Sequence, residues 1–302
     1  MEKSTLIKKN FNYLLDNFAC QNSFGDKVLQ VLDGLIANDP KQQTRFEYSL
    51  QIENGRFNRA IRFVNYDTYY LRTEKEKYLK RINLIEKIVF FVSRPSIILG
   101  TFFNIIRKLS FNYLPLYLGL ELHNNKYIFL KLYLNCFSQY KSDNILIEQL
   151  IKNIFDKLGL HFKIKNREIP LIGLTLNENG DILSHKIYYL YDKYSDLKFL
   201  DFTSRELRIF HWANHYNRLN YFDVMERYNR RKVVSRKIEV HPGNYKNFLS
   251  SLCEVTGNKA VFLKIDEIIK VTNGEIEAVG IEKEKLTIYV TMRNYGRRKI
   301  LL

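Results

Sequence analysis

The sequence predicts an α/β chain in which ten antiparallel β-strands close into a barrel surrounded by helices, built as five repeats of helix followed by hairpin. Three observations carry this. Apolar residues switch repeatedly between a helical period and a period of two along the chain. Each period-two stretch is interrupted near its middle by Asn, Gly or charged residues, the mark of a hairpin turn. Ten strands are too many for a stable flat sheet, and closure removes both edges. The repeats run along the whole chain, so residues 1–302 are read as a single barrel domain.

Residues 5–36 carry Leu6, Phe11, Leu14, Leu15 and Phe18, then Val28, Val31, Leu32 and Leu35, at helical spacing, and Asp39-Pro40 ends the run. The first hairpin spans 46–67 and turns at Asn54-Gly55. Residues 72–109 return to helical spacing, divided into two helices by Pro95. Leu114–Asn135 is the second hairpin, turning at Asn124-Asn125, and 142–158 is an amphipathic helix. Ile169–Tyr191 is the third hairpin, turning at Asn179-Gly180, followed by a helix over 203–216. Leu219–Val240 is the fourth, around Tyr228–Arg230, followed by a helix over 243–256. Asn273–Met292 is the fifth, turning near Glu282–Glu284. Residues 258–272 give no clear assignment.

The strand YIFLKLYLN, Tyr127–Asn135, decides which face points where. Ile128, Leu130, Leu132 and Leu134 share one face, and Lys131 and Tyr133 lie on the other. Helices must cover the apolar faces, so the mixed faces point into the barrel. The interior is then expected to hold Glu47, Arg62, Lys131, Tyr133, Lys186, Tyr188, Lys237, Glu239, Thr287 and Tyr289. Gly119, Gly173 and Gly280 fall at inward positions too, where a missing side chain leaves room for a ligand.

The formal net charge of +16 calls for an anionic partner: nucleic acid, an anionic membrane or a phosphorylated small molecule. Cys20, Cys136 and Cys253 form no CxxC pair, and the N-terminus lacks an apolar signal region. The most apolar segment, Ile88–Ile106, is too interrupted to span a bilayer. A cytoplasmic protein with no membrane partner is expected. No GxxxxGK[ST] or GxGxxG occurs, which removes the main support for nucleotide folds. His211 and His215 share a helix face, but HWANH lacks the Glu of HExxH, so a structural role is expected, with Trp212 packing beside them. No Asp-Asp pair occurs.

Several cations beside several tyrosines suit an anion joined to something greasy. Lys and Arg hold phosphate oxygens by charge-assisted hydrogen bonds, and tyrosine rings attract a carbocation by about 0.5–2 kcal/mol per contact. Glu47 can orient a nucleophile or take its proton.

Four stretches carry a family resemblance: EYSLQIENGRFNRAIRF at 47–63, LGLELHNNKYIFLKLYL at 118–134, IGLTLNENGDILSHKIYYLY at 172–191 and EKEKLTIYV at 282–290. The chain resembles the ABBA prenyltransferases, and among them the cyanobactin-type peptide prenyltransferases. The resemblance implies a transferase that moves a dimethylallyl or geranyl group from its diphosphate onto a peptide side chain, with magnesium (Mg2+) assisting the leaving group. It matches Glu47 to an acid beside the acceptor and Arg62 to a diphosphate-binding arginine. Lys131, Lys186 and Lys237 join Arg62 around the diphosphate; Tyr133, Tyr188 and Tyr289 shield the allylic cation; Gly119, Gly173 and Gly280 bound the prenyl pocket. Glu239 and Thr287 depart from the Lys-x-Tyr pattern. A monomer without nucleic acid is expected. The alternatives are the same barrel acting on a small aromatic, and a non-catalytic nucleic-acid-binding module that uses the basic run Arg227–Lys237 and the tail Arg293–Lys299.

Overall fold

The computed structural model describes residues 3–17, 23–37, 44–67, 75–108, 116–123, 127–136, 144–161, 165, 167–229, 231–243, 245–256 and 258–292. Helices α1 (Lys3–Asn17) and α2 (Ser23–Ala37) precede the strand pair β1 (Thr44–Glu53) and β2 (Arg56–Asp67). Next come α3 (Lys75–Val92), α4 (Ile97–Lys108), β3 (Leu116–His123), β4 (Tyr127–Asn135) and α5 (Asn144–Lys157). The third pair is β5 (Leu171–Leu176) and β6 (Ile182–Tyr191), followed by a short 3-10 helix, Tyr194–Phe199, and α6 (Ser204–Asn214). The fourth is β7 (Phe222–Asn229) and β8 (Lys232–Val240), followed by α7 (Tyr245–Thr256) and α8 (Lys259–Val271). The fifth is β9 (Gly274–Glu282) and β10 (Lys285–Met292).

The hairpins form where the turn chemistry allows them. Asn54 and Gly55 take φ of 50° and 70°, the left-handed pair that a two-residue turn between twisted strands requires. Asn54 also donates its backbone N–H to Glu284 O at 3.3 Å, tying the first turn to the fifth. The expected turn at Asn124-Asn125, Cys20 and the tail Arg293–Lys299 lie outside the described residues, as does Arg230 of the fourth turn. Residues 258–272, unassigned from sequence, contain α8. Its cap is Asn258, whose side chain accepts from Val261 N–H, and Phe262, Ile265, Ile268 and Ile269 are its buried face.

All strand pairs are antiparallel, and the sheet is a closed barrel because β1 pairs with β10, from Glu47 opposite Thr291 to Glu53 opposite Lys285. The ring leaves no sheet edge to template pairing with another chain. Two separate apolar clusters lie on the two faces of the same strands. The larger holds Leu130, Leu132 and Leu134 with helix residues such as Phe11, Phe155 and Phe210. Phe11 of α1 meets Phe63 of β2 at 4.4 Å between ring centroids, and Phe210 of α6 meets Phe222 of β7 at 4.7 Å. The smaller cluster, Val64, Tyr117, Tyr133, Tyr188 and Met225, sits inside the barrel.

The basic run Arg227–Lys237 does not make one outer patch. Lys237 is buried inside the barrel, Arg236 points outward onto Glu226 at 2.7 Å, and Arg231 and Lys232 are exposed at the turn. At the C-terminal end of α6 the rings of His211 and His215 lie edge-to-face at 5.4 Å, and Trp212 packs at a tilt against Phe248 while donating to Ser251 Oγ at 3.2 Å. Among the described residues no helix is long and apolar enough to cross a membrane.

Candidate active site

Four of the five even strands bring one buried cation inward; β10 brings Thr287 and Tyr289 instead. Arg62 comes from β2, Lys131 from β4, Lys186 from β6 and Lys237 from β8, and all four are buried. Alternation places them there: the strand neighbours point outward, as Leu130 and Leu132 do around Lys131. They act on one another. The Lys186 ammonium is held well below its ordinary range, first by burial and then by Lys131, Arg62 and Lys237. The Lys131 ammonium is lowered to about 7 by burial and Arg62, against the pull of Glu121.

Two carboxylates compensate three of these cations. Glu121 Oε2 accepts from Arg62 Nε at 2.6 Å and also pairs with Lys131. Burial opposes the Arg62 charge, but Glu121 together with Tyr133 and Tyr289 more than offsets it and raises the guanidinium further. Glu239 pairs with Lys237 and accepts from the Tyr289 hydroxyl at 2.8 Å, so its carboxyl stays lowered although burial raises it. Lys186, only 5% exposed, makes no hydrogen bond or ion pair among the described residues. A buried ammonium without a partner is unfavourable and favours an incoming anion.

The tyrosines lie against this ring. Tyr133, Tyr188 and Tyr289 are buried, and burial pushes their phenols upward, so they stay protonated. Tyr133 is influenced by Arg62, Glu121, Glu239 and Glu47, which places all four around one interior. Glu47 is itself buried, opposite Val64 on β2 and Thr291 on β10. Thr287 is buried and lies opposite Gly280 and Gln51.

The donor set does not fit a protein-held magnesium ion. The two carboxylates at the cationic ring, Glu121 and Glu239, are engaged by Arg62, Lys131, Lys237 and Tyr289. Among the described residues no three His, Cys, Asp or Glu side chains converge as a metal-ligand group.

No protein-family model matches the chain, and no curated protein matches it in sequence. Solved structures do match. The 5-dimethylallyltryptophan synthase of Streptomyces coelicolor superposes with a TM-score of 0.72 at 13% identity, over 98% of this chain and 99% of that one. A 6-dimethylallyltryptophan synthase from Micromonospora olivasterospora, solved with DMASPP and Trp, gives 0.72 at 13% identity over 98% of both chains. The prenyltransferase PriB, in a ternary complex with L-tryptophan and dimethylallyl thiolodiphosphate, gives 0.69 at 13% identity over 98% of this chain and 97% of that one. The fold is the ABBA barrel of these prenyltransferases.

In this ABBA barrel the expected interior residues come together. Across the strands Arg62 lies opposite Ser49 on β1 and Glu121 on β3. Sequence reading passed over Glu121, the residue that organises half of the ring, and also Tyr117 and Met225. The available signal was the placement of Glu121 two residues beyond Gly119, hence on the same inward face. The room at two glycines is already taken. A Cβ at Gly173 meets the Tyr133 ring at 2.9 Å, and one at Gly280 meets Lys237 Cδ at 2.7 Å. A Cβ at Gly119 meets Lys131 Cβ at 3.1 Å and Tyr133 Cε2 at 3.3 Å. These glycines seat the lysines and tyrosines of the site.

Proposed function

We propose that this chain is a prenyltransferase that moves a dimethylallyl group from its diphosphate onto an electron-rich aromatic ring. The observation that carries the reading is the buried, unpartnered Lys186 beside Arg62, Lys131 and Lys237, next to an interior cluster of tyrosines. The diphosphate settles on these cations. As the allylic C–O bond breaks, the leaving diphosphate gains charge, and preorganised cations in a water-poor interior stabilise it. Tyr133, Tyr188 and Tyr289 face the allylic cation with their rings and keep water away. The cation bonds to a ring carbon of the acceptor, and that carbon then releases its proton. Glu47 is assigned to orient the acceptor or to take this proton.

Solved proteins of this fold carry tryptophan with dimethylallyl donor analogues in their complexes, which supports an indole acceptor and a five-carbon donor. The peptide acceptor and geranyl donor rest on the sequence resemblance alone. Incubation with dimethylallyl or geranyl diphosphate and a panel of indoles, phenols and linear and cyclic peptides, read by mass, tests all of these together. The expected product is an indole compound heavier by one dimethylallyl unit. Folded protein that alkylates nothing in the panel contradicts the proposal.

A further inference from the structure

The end of the barrel interior away from the hairpin turns holds a second built group that the transfer reading leaves unused. Asp223 on β7 and Glu239 on β8 lie directly opposite each other. Like charges across a strand pair are unfavourable unless each is compensated. Lys237 and Tyr289 compensate Glu239. His241 compensates Asp223: its Nε2 lies 3.1 Å from Asp223 Oδ2, and its Nδ1 lies 3.2 Å from Glu277 O. Both ring nitrogens face oxygen atoms, an arrangement that favours the imidazolium form. Consistently, the imidazole is raised by Asp223 even though burial alone lowers it. Asp223 Oδ1, by contrast, is buried and has no hydrogen-bond partner among the described residues. Burial raises the Asp223 carboxyl despite His241, so a further positive charge is favoured there.

Charge is sorted along the barrel. On β8, Lys237 comes first from the turn, then Glu239, with His241 just past the strand end. Asp223 lies near the end of β7 farthest from the same turn. Tyr188 borders both regions: burial raises its phenol most, followed by Glu239 and Tyr133, with Arg62 and Asp223 also acting on it.

We propose that Asp223, positioned by His241, binds a protonated amine of the acceptor, so that the acceptor class is an aromatic ring bearing a primary ammonium group. The ring part rests on the prenyl-transfer reading above; the ammonium part rests on Asp223 and His241. The two substrates are then sorted by opposite charge, with the diphosphate on the lysines and the ammonium at the carboxylate end.

The test is calorimetric binding to protein saturated with inorganic diphosphate, using tryptamine, skatole, which is an indole without the amine, and indolepropionic acid, which carries a carboxylate. Tryptamine is expected to bind about 10- to 100-fold tighter than skatole, as a charged hydrogen bond provides, and indolepropionic acid weakest. Asp223→Asn is expected to bring the tryptamine-to-skatole ratio near one, and His241→Gln to reduce it. Equal binding of tryptamine and skatole to the unaltered protein overturns the proposal, as does an unchanged ratio in Asp223→Asn, or no binding of any of the three. If Asp223→Asn does not fold, the three compounds on the unaltered protein decide. Binding is read without transfer, so an amine preference with no alkylated product counts against the prenyl-transfer reading alone.

Discussion

Arg62 and Glu121 face each other across β2 and β3, and the guanidinium grips one carboxylate oxygen through Nε at 2.6 Å and Nη2 at 2.5 Å. The same oxygen holds Lys131. One carboxylate thus keeps two of the four interior basic residues in place, Glu239 holds Lys237, and Lys186 is left without a carboxylate partner among the described residues.

Removing that carboxylate isolates two buried cations. Glu121→Gln is expected to destabilise the fold by roughly 3–5 kcal/mol, the usual cost of breaking a buried ion pair from one side. Diphosphate replaces the lost negative charge. Its addition is therefore expected to raise the melting temperature more in Glu121→Gln than in the unaltered protein. An equal rise in both speaks against Glu121 as the organiser of the anion site.

Proton uptake should accompany diphosphate binding. Lys131 is lowered to about 7, and Lys186 is also held well below its ordinary value by burial and its cationic neighbours. An anion favours the charged forms, so the complex binds more protons than the free protein, and affinity falls as pH rises above about 7. Calorimetry in buffers of different ionisation enthalpy is expected to report net uptake at pH near 8; zero uptake contradicts it. Stability runs the other way. Between about 7 and the unfolded lysine range the unfolded chain holds the proton that folded Lys131 lacks, so the unliganded protein gains stability with rising pH there.

Lys186 serves the ligand at the expense of the fold. Lys186→Met removes a buried amine that has no hydrogen-bond or ion-pair partner among the described residues, while keeping its volume. The expected result is a melting temperature at or above that of the unaltered protein, since a hydrophobic replacement of buried charge is often neutral or stabilising by about 1–4 kcal/mol. A loss of several degrees in melting temperature indicates that Lys186 has a structural anion partner.

Gly173 and Gly280 give the tyrosines and lysines their places. Gly173→Ala pushes a Cβ into the Tyr133 ring, and Gly280→Ala pushes one into Lys237. Each is expected to cost about 1–3 kcal/mol by overcrowding, with Gly280→Ala also disturbing the Lys237 contacts to Glu239 and Tyr289. Chemical denaturation of the two variants checks this; stability equal to the parent means the side chains have room to shift.

The hairpins were legible because their turns carry local chemistry, Asn54-Gly55 and Asn179-Gly180 above all, and their strands keep a period of two. Inward and outward faces were legible for the same reason. Helix α8 was not, although its Asn258 cap and the spacing of Phe262, Ile265 and Ile268 are local signals, because charged residues interleave its apolar face directly after α7. The lysines and tyrosines of the site could be read from Lys-x-Tyr pairs on mixed faces. Glu121 could not: its partner Arg62 is 59 residues away, and only the β2–β3 register brings them together. The Asp223–His241 pair is hidden in the same way by a separation of 18 residues.

The most direct measurement is titration of the unaltered protein and Lys186→Met with dimethylallyl thiolodiphosphate, a donor analogue that resists transfer. The account predicts saturable binding to the unaltered protein and affinity weaker by about 10-fold or more in Lys186→Met, the loss of one charged hydrogen bond. Equal affinity in the two proteins, or no binding to either while both are folded, contradicts it.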